Sequence, residues 1–458
     1  MFFFIVYGMI FPITEGKLGI KPQVAPLNSK IILVWQEYSP KWGSDIFFQI
    51  RTRDGKKIES TGIINEDTCS FNQSSPHVAS ANDIALVVWE DGRSGSSTDI
   101  YAQFFDENGK AGKNFRVDDD TTGKYHIHPH ATFVPPGKLF VVWQDLREGN
   151  YDIYGQWIDH KGNFIGKNIC ISNSSDWEYM PIAVNLYQKV FTVWQYVSDG
   201  IYCIKGKYIS PEQKNIGNEI SITGKNRILL SVLVNDEIPF ILWKDYNTSF
   251  YSLFDTKKKS SHNLLEISPL SAFATYWQDT LFLFWVEKKG EGSCLLYQVK
   301  NSNSVTLVER KEKEIYNLSG FVSNDTFYLV WIEASKKDSS WDIHLGIFIG
   351  KRRAVENIAF VEDITIERFH LYPPSPNPFR EQAVIKFDVP IPSKVNVAIY
   401  DEQGRKVATL TNKDYIPGTY SLTWDGRSST GRILPSGSYF CVLKSGEYRN
   451  CKKLILIK

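Results

Sequence analysis

Cysteine and methionine are scarce in this chain, six and three in 458 residues. The cysteines (69, 170, 203, 294, 441 and 451) include no CxxC pair, which argues against a zinc ribbon or a thioredoxin-type site. Long apolar runs are missing too. The best, Phe2 to Ile13, falls short of the ~20 residues a spanning helix needs, so no transmembrane segment is expected. Neither sign of charge dominates: 52 basic and 51 acidic residues leave +1. That argues against polyanion binding by the whole chain, and no nucleic-acid partner is expected. There is no GxGxxG, no P-loop, no HExxH and no GxSxG. No cofactor, metal or catalytic residue is therefore assigned, and an enzyme is disfavoured.

What the chain has is aromatic rings, 14% of its residues, including 13 Trp. Seven of these Trp recur at one place in a repeat. An apolar run ends at Trp35, Trp89, Trp143, Trp194, Trp243, Trp285 and Trp331, at steps of 54, 54, 51, 49, 42 and 46 residues. A short strand precedes each run (QVAP, HVAS, HATFV, PIAV, FAT, FVS). In the better copies a DIxxQ-like strand, a Gly turn and a fourth short segment follow. Four strands per 40–50 residues, without helical periodicity, are the pattern of a β-propeller. The reading is all-β: a seven-bladed propeller over 17–367, with six blades as the structural alternative.

In such a ring, the loop between second and third strands shares a face with the segment entering each blade. That face collects Asp91, Arg93 and Asp99, their repeats Asp145, Arg147 and Asp152, and the segments 124–130 and 174–181. The Asp and Arg either form a polar ligand ring or pair across the loop to hold its shape. His126, His128 and His130 alternate, which on a regular strand puts them on one side; His128 and His130 are retained as ligand candidates. Asp118, Asp119 and Asp120 read as a solvated strand end rather than a calcium loop. Trp177, Glu178 and Tyr179 are the remaining candidates, since an exposed ring beside a carboxylate suits a sugar or a peptide. The first strands carry no Asp or Glu in their central residues, which disfavours a propeller glycosidase with its spaced acid–base pair.

Residues 371–458 differ in charge: 13 basic and 7 acidic, against 39 and 44 in the remainder. After a proline-rich linker (368–379), about seven short strands fill 380–458, a small Ig-like β-sandwich. The order Asn377-Pro378-Phe379, IYDEQGRKV with Gly404, Pro417-Gly418, Trp424-Asp425-Gly426, Gly437 and a final Lys452-Lys453-LILIK resembles the C-terminal sorting domain of type IX secretion substrates. It is also similar to the Ig-like domain of the flagellar hook-capping protein. The resemblance implies export across an outer membrane through a secretion machinery, with the last strand as the recognised element. Gly404, Gly418 and Gly437 are expected where turns need positive φ. A three-residue hairpin loop, Ser445 to Glu447, would set Cys441 opposite Cys451 and permit a disulfide.

The N-terminal apolar stretch fits a secretory leader over 1–16, an N-terminal buried strand being the alternative. Together these features describe a secreted or cell-surface binding protein for an unknown glycan or surface protein. An extracellular glycoside hydrolase and a structural surface-layer component are the alternatives.

Overall fold

The computed structural model describes Phe2 to Ile457 except residues 15, 40–42, 59–60, 68–70, 82, 212–216, 223–225, 246–249, 259, 267–270, 278, 300–303, 336, 338, 354–368, 390–392, 416–417 and 447. The chain divides into two units, Met1–Ala359 and Phe360–Lys458. The expected boundary at 367 and Pro417 lie outside the described residues.

The first unit is all-β and propeller-like. Its strands form seven four-stranded antiparallel sheets. Their first strands are Gly19–Leu27, Gln73–Ala81, His126–Val134, Trp177–Leu186, Arg227–Asn235, Ser271–Trp277 and Lys313–Ser323. Each first strand packs on the next, and the seventh packs on the first. Apolar clusters fill every gap between neighbours, including that between seventh and first sheets, where Trp35, Val24 and Leu33 meet Tyr328, Val330 and Leu345.

The repeated Trp follows from strand geometry. It lies in the second half of the second strand with its ring buried in the gap, where the indole N–H calls for an acceptor. Residues i and i+2 share a strand face, so an acid two positions on supplies it. Trp89 donates to Asp91 and Trp143 to Asp145, each at 2.8 Å, and Trp285 to Glu287 at 2.8 Å. Trp35 and Trp331 do the same with Glu37 and Glu333 at 3.3 and 3.2 Å. The fourth sheet has Tyr196 at that position, and Glu178 from the first strand takes over at 3.0 Å.

A second repeated device lies after the fourth strand. Ile46, Ile100 and Ile153, which open the third strands, donate their amides to Asn65, Asp118 and Ser172 at 3.0, 2.8 and 3.1 Å. The seventh sheet uses Thr14 in this role, accepting from the Ile343 amide at 2.8 Å. Its fourth strand is Phe2–Pro12, paired antiparallel with Trp341–Arg353. The stretch read as a leader is thus a strand here, and Ile13-Thr14 follows it as Val117-Asp118 and Ile171-Ser172 follow theirs.

In the second unit, a three-stranded sheet (His370–Leu371, Ala383–Val389, Gly418–Trp424) and a four-stranded one enclose a common core. The latter runs Lys406–Tyr415, Ser393–Tyr400, Gly437–Ser445, Tyr448–Leu456. The quoted tail motif is structural. Asn377 donates to the Lys453 carbonyl and accepts from the Ile455 amide, both at 2.8 Å, clamping the last strand. Phe379 is buried against Trp424, whose indole donates to Arg427 O at 2.9 Å. Asp425 accepts from the Arg427 amide. Gly404 does turn with φ +75°, but Gly437, like Gly418, opens a strand, and the left-handed position in the final hairpin belongs to Gly446. That hairpin corrects the disulfide expectation. Ser445 pairs with Tyr448, so the loop has two residues rather than three and the register shifts by one. Cys441 faces Lys452, and Cys451 faces Val442. Cys441 is buried and Cys451 exposed, and both are free thiols. Lys452 and Lys453 lie on the same final strand, the edge of its sheet.

Candidate functional site

The loops and entry segments expected to share a face do meet. Gly92 donates its amide to Asn72 O, Leu146 to Tyr125 O, and Glu178 to Tyr151 O, at 2.9–3.0 Å. Which of their side chains remain free for a ligand is decided by bonding.

Asp91, Arg93, Asp145 and Arg147 bond one another and their own sheets. Asp91 is fully buried and accepts the Trp89 indole. Arg93 closes on it with Nε at 2.8 Å, Nη2 at 2.7 Å and its own amide at 3.0 Å. The guanidinium then lies over the Tyr101 ring at 3.9 Å. Asp145, Arg147 and Tyr154 repeat the arrangement, with the cation 4.2 Å above the ring, and Arg147 also reaches Asp119 at 3.0 Å. Glu178 is likewise fully buried, bonded to Ser172 and Trp194, and burial raises its pKa. Tyr179 is half-buried against Tyr202.

The three histidines do not share a face, because a bulge between Ile127 and His130 breaks the alternation. His128 sits in the bulge with φ +53°. Lys21, Ser75, Met180 and Asn317 occupy equivalent bulges at φ 51–54°. In the first four sheets Pro follows the bulged residue (Pro22, Pro76, Pro129, Pro181). That recurrent x-Pro was the sequence signal for the bulge, since Pro is tolerated in a sheet where the ladder is already interrupted.

His126 is fully buried. Nδ1 lies 3.1 Å from Thr98 O, and Nε2 lies 3.4 Å from Asp120 and 3.5 Å from Asp145. Asp118 and Asp120 are therefore interior groups; only Asp119 fits the solvated strand end. Asp99, Asp118 and His126 place potential ligand atoms within 4.8 Å of one another, a set compatible with a metal ion. Arg116 supplies positive charge there, bonding Asp118 at 2.5 Å and Asp99 at 2.9 Å. Burial works to lower the His126 pKa, but the hydrogen bond with Asp99 and the charges of Asp118, Asp145 and Asp120 leave it raised.

The exposed groups are aromatic. Trp177 is 59% exposed, and its ring meets Tyr151 edge-on at 5.9 Å. Tyr125 is 47% and Met180 46% exposed. Beside them His128, with a side chain 41% exposed, lies 3.8 Å from Glu90. Glu90 accepts from the His128 amide and from Ser74. Burial pushes the Glu90 carboxyl up, and these bonds bring it below the usual range. Lys21 donates to Ser75 at 2.6 Å. Tyr125, Tyr151, Met180 and Glu90 escaped sequence reasoning, because one aromatic among 64 carries no local mark of exposure. A cavity of about 490 Å³ lined by Leu186, Tyr187, Lys189, Tyr208 and Glu237 lies at the other end of the fourth sheet's first strand.

Residues 378–447 match the FlgD Ig-like domain family. No curated protein matches the chain. Among solved structures, the polysaccharide lyase Uly1 aligns with 71% of this chain and 89% of its own, at 8% identity and a TM-score of 0.50. A Trypanosoma rangeli sialidase covers 95% of this chain and 84% of its own (8% identity, TM-score 0.44). A Pyrococcus horikoshii acylaminoacyl peptidase covers 82% and 59% (9%, 0.46). The likeness to Uly1 is one of fold.

Proposed function

We propose that this chain is a secreted or surface-displayed binding protein. Its first unit is a seven-bladed propeller closed by Phe2–Pro12, and its second unit directs export through a secretion machinery. The ligand, a glycan or a surface protein, docks on the face bearing Trp177, Tyr151, Tyr125 and Met180. One observation carries this reading: on that face the Asp–Arg sets are internally bonded, while a large indole and two neighbouring apolar groups stay exposed. A protein interior would ordinarily enclose such a ring, and exposed aromatics with a polar rim suit sugar faces or a peptide anchor.

The glycosidase alternative finds less support. Glu178 and Asp152, whose carboxyl groups burial pushes up, are both enclosed. Turnover of any glycoside by the purified protein would overturn the binding reading. A glycan array, with Trp177→Ala as the control, tests it directly. The variant should lose binding and keep its thermal unfolding temperature. Equal binding by both proteins would place the ligand elsewhere. N-terminal sequencing of exported protein decides the role of the first strand: a cut near residue 16 would remove it, and the ring would close without it.

A further inference from the structure

Just past the bulges, three first strands bring hydrogen-bond donors to one level of the ring. Gln23, His77 and His130 pair with Val34, Val88 and Val142, the residue before the Trp in three successive sheets. Ser319 holds the same place in the seventh. His77 Nδ1 accepts the Ala131 amide at 3.2 Å, and His130 Nδ1 accepts the Ala183 amide at 3.4 Å. A neutral imidazole whose Nδ1 accepts carries its proton on Nε2. The two rings stack with centroids 3.6 Å apart, so two Nε2–H donors lie side by side. Both rings are held neutral: burial lowers His77 to about 4, and burial, then the neighbouring His77, lowers His130 well below the usual imidazole range. Gln23 Oε1 accepts the Ser319 hydroxyl at 3.3 Å, leaving its amide NH2 as a third donor.

What surrounds this arc fixes the kind of ligand. Past the bulge position, no first strand carries an Asp or Glu. Metal ligation through Nε2 would move the ring proton to Nδ1, where the Ala131 and Ala183 amides already donate. Donors without acceptors match an anion, and two parallel N–H groups match the two oxygens of a carboxylate. Lys21, two residues before Gln23, adds positive charge at the entrance.

We propose that Gln23, His77 and His130 form an anion subsite that takes the carboxylate of an acidic sugar, such as a uronic acid, in a glycan of which another sugar stacks on Trp177 and Tyr151. This rests on the reading that the ligand enters on that face. The contact adds charge-assisted bonds to a site that otherwise offers stacking.

The test uses full-length protein labelled with ¹⁵N-histidine. Sodium glucuronate and methyl glucoside share a pyranose ring and differ in the carboxylate. Glucuronate should shift the ring-nitrogen signals of His77 and His130 and raise their pKa values; methyl glucoside should not. In calorimetry, His130→Phe, which keeps a stacked ring and deletes the donor, should weaken glucuronate binding about tenfold or more. His130→Gln should retain most of it, because Gln23 is already an amide donor in the arc. Equal affinity for glucuronate and methyl glucoside, with both lost in Trp177→Ala, would overturn the anion subsite and leave the aromatic face standing. Glucuronate shifts that persist unchanged in Trp177→Ala would support the subsite as a place distinct from the aromatic face. Imidazole signals unmoved by glucuronate in the wild-type protein would overturn the subsite, whatever the variants do. An acidic peptide that shifts the imidazoles at tenfold lower concentration than glucuronate would overturn the sugar assignment.

Discussion

His126 places a titratable ring where a carboxamide serves in the preceding sheet. Gln73 opens the second sheet's first strand and donates to Asp67 at 3.1 Å. His126 opens the third sheet's strand, in the same position, among Asp99, Asp118, Asp120 and Asp145, with Arg116 and Arg147 as the neighbouring cations. Four carboxylates against two guanidinium groups leave a buried excess of negative charge, and a protonated imidazole reduces it. The folded-state pKa is raised above the unfolded value of ~6.5. The imidazolium therefore contributes stability that is complete below that value and is lost as pH rises through the folded pKa. Each unit of elevation corresponds to about 1.4 kcal/mol. Removing one partner of a buried charge cluster costs about 3–5 kcal/mol, and Gln should recover part of this by hydrogen bonding. His126→Gln should thus destabilise the first unit by about 1–3 kcal/mol at pH 6 and by clearly less at pH 9. Urea unfolding followed by Trp fluorescence at pH 6, 7.5 and 9 measures this. An equal loss at all three pH values, or a wild-type protein whose stability does not fall from pH 6 to 9 relative to the variant, would refute the imidazolium.

Further outcomes follow from the same bonding. Arg147→Ala removes a bidentate partner from fully buried Asp145 and should cost about 3 kcal/mol, read by urea unfolding, whereas Trp177→Ala should stay within about 0.5 kcal/mol. Deleting residues 2–14 strips the fourth strand and the Thr14 acceptor from the seventh sheet, so the first unit should unfold at markedly lower urea and gain fast amide exchange across Trp341–Arg353. In native protein a thiol reagent should modify exposed Cys451 promptly and spare Cys441, whose thiol is pushed up to about 12 by burial and the neighbouring Cys451. A Cys441–Cys451 disulfide found by mass spectrometry would contradict the hairpin register.

The repeat was legible because its cause is local. In five of the seven sheets the Trp that ends an apolar run donates to an Asp or Glu two residues on, and that pair is visible in the sequence. The tail was legible through its turn residues and aromatic spacing. Two kinds of information were not local. Register in the last hairpin turned on a single loop residue, and a one-residue shift moved Cys451 away from Cys441. The fate of charged side chains turned on the neighbouring sheet. Asp118 and Asp120 look solvated in a DDD run, yet the next sheet's His126 and their own Arg116 enclose them. Likewise Trp177 and Trp194 both occupy strands, and only the packing of adjacent sheets decides which is covered.

The same kind of inter-sheet bonding steadies part of the candidate face. The residue after the repeated Trp reaches into the next sheet's first strand: Gln36 accepts from the Ser75 amide, Glu90 from His128, and Gln195 from Leu229. These acceptors capture the backbone amides that the bulges free from their ladders, an exchange that keeps a buried N–H satisfied. From the fifth sheet on the position holds Lys244, Val286 and Ile332, and none of these side chains is a hydrogen-bond acceptor. These bonds join the first sheet to the second, the second to the third and the fourth to the fifth, while Gln144 Oε1, at the same position in the third sheet, has no hydrogen-bond partner. A binding surface gains from elements held in fixed relative position, and Tyr125, Tyr151 and the His77–His130 pair belong to the second and third sheets, which Glu90 joins. Replacing Glu90 by Val, the residue that stands at this position in the sixth sheet, should loosen the second sheet against the third. It should weaken ligand binding at the aromatic face without touching any ligand-contacting group.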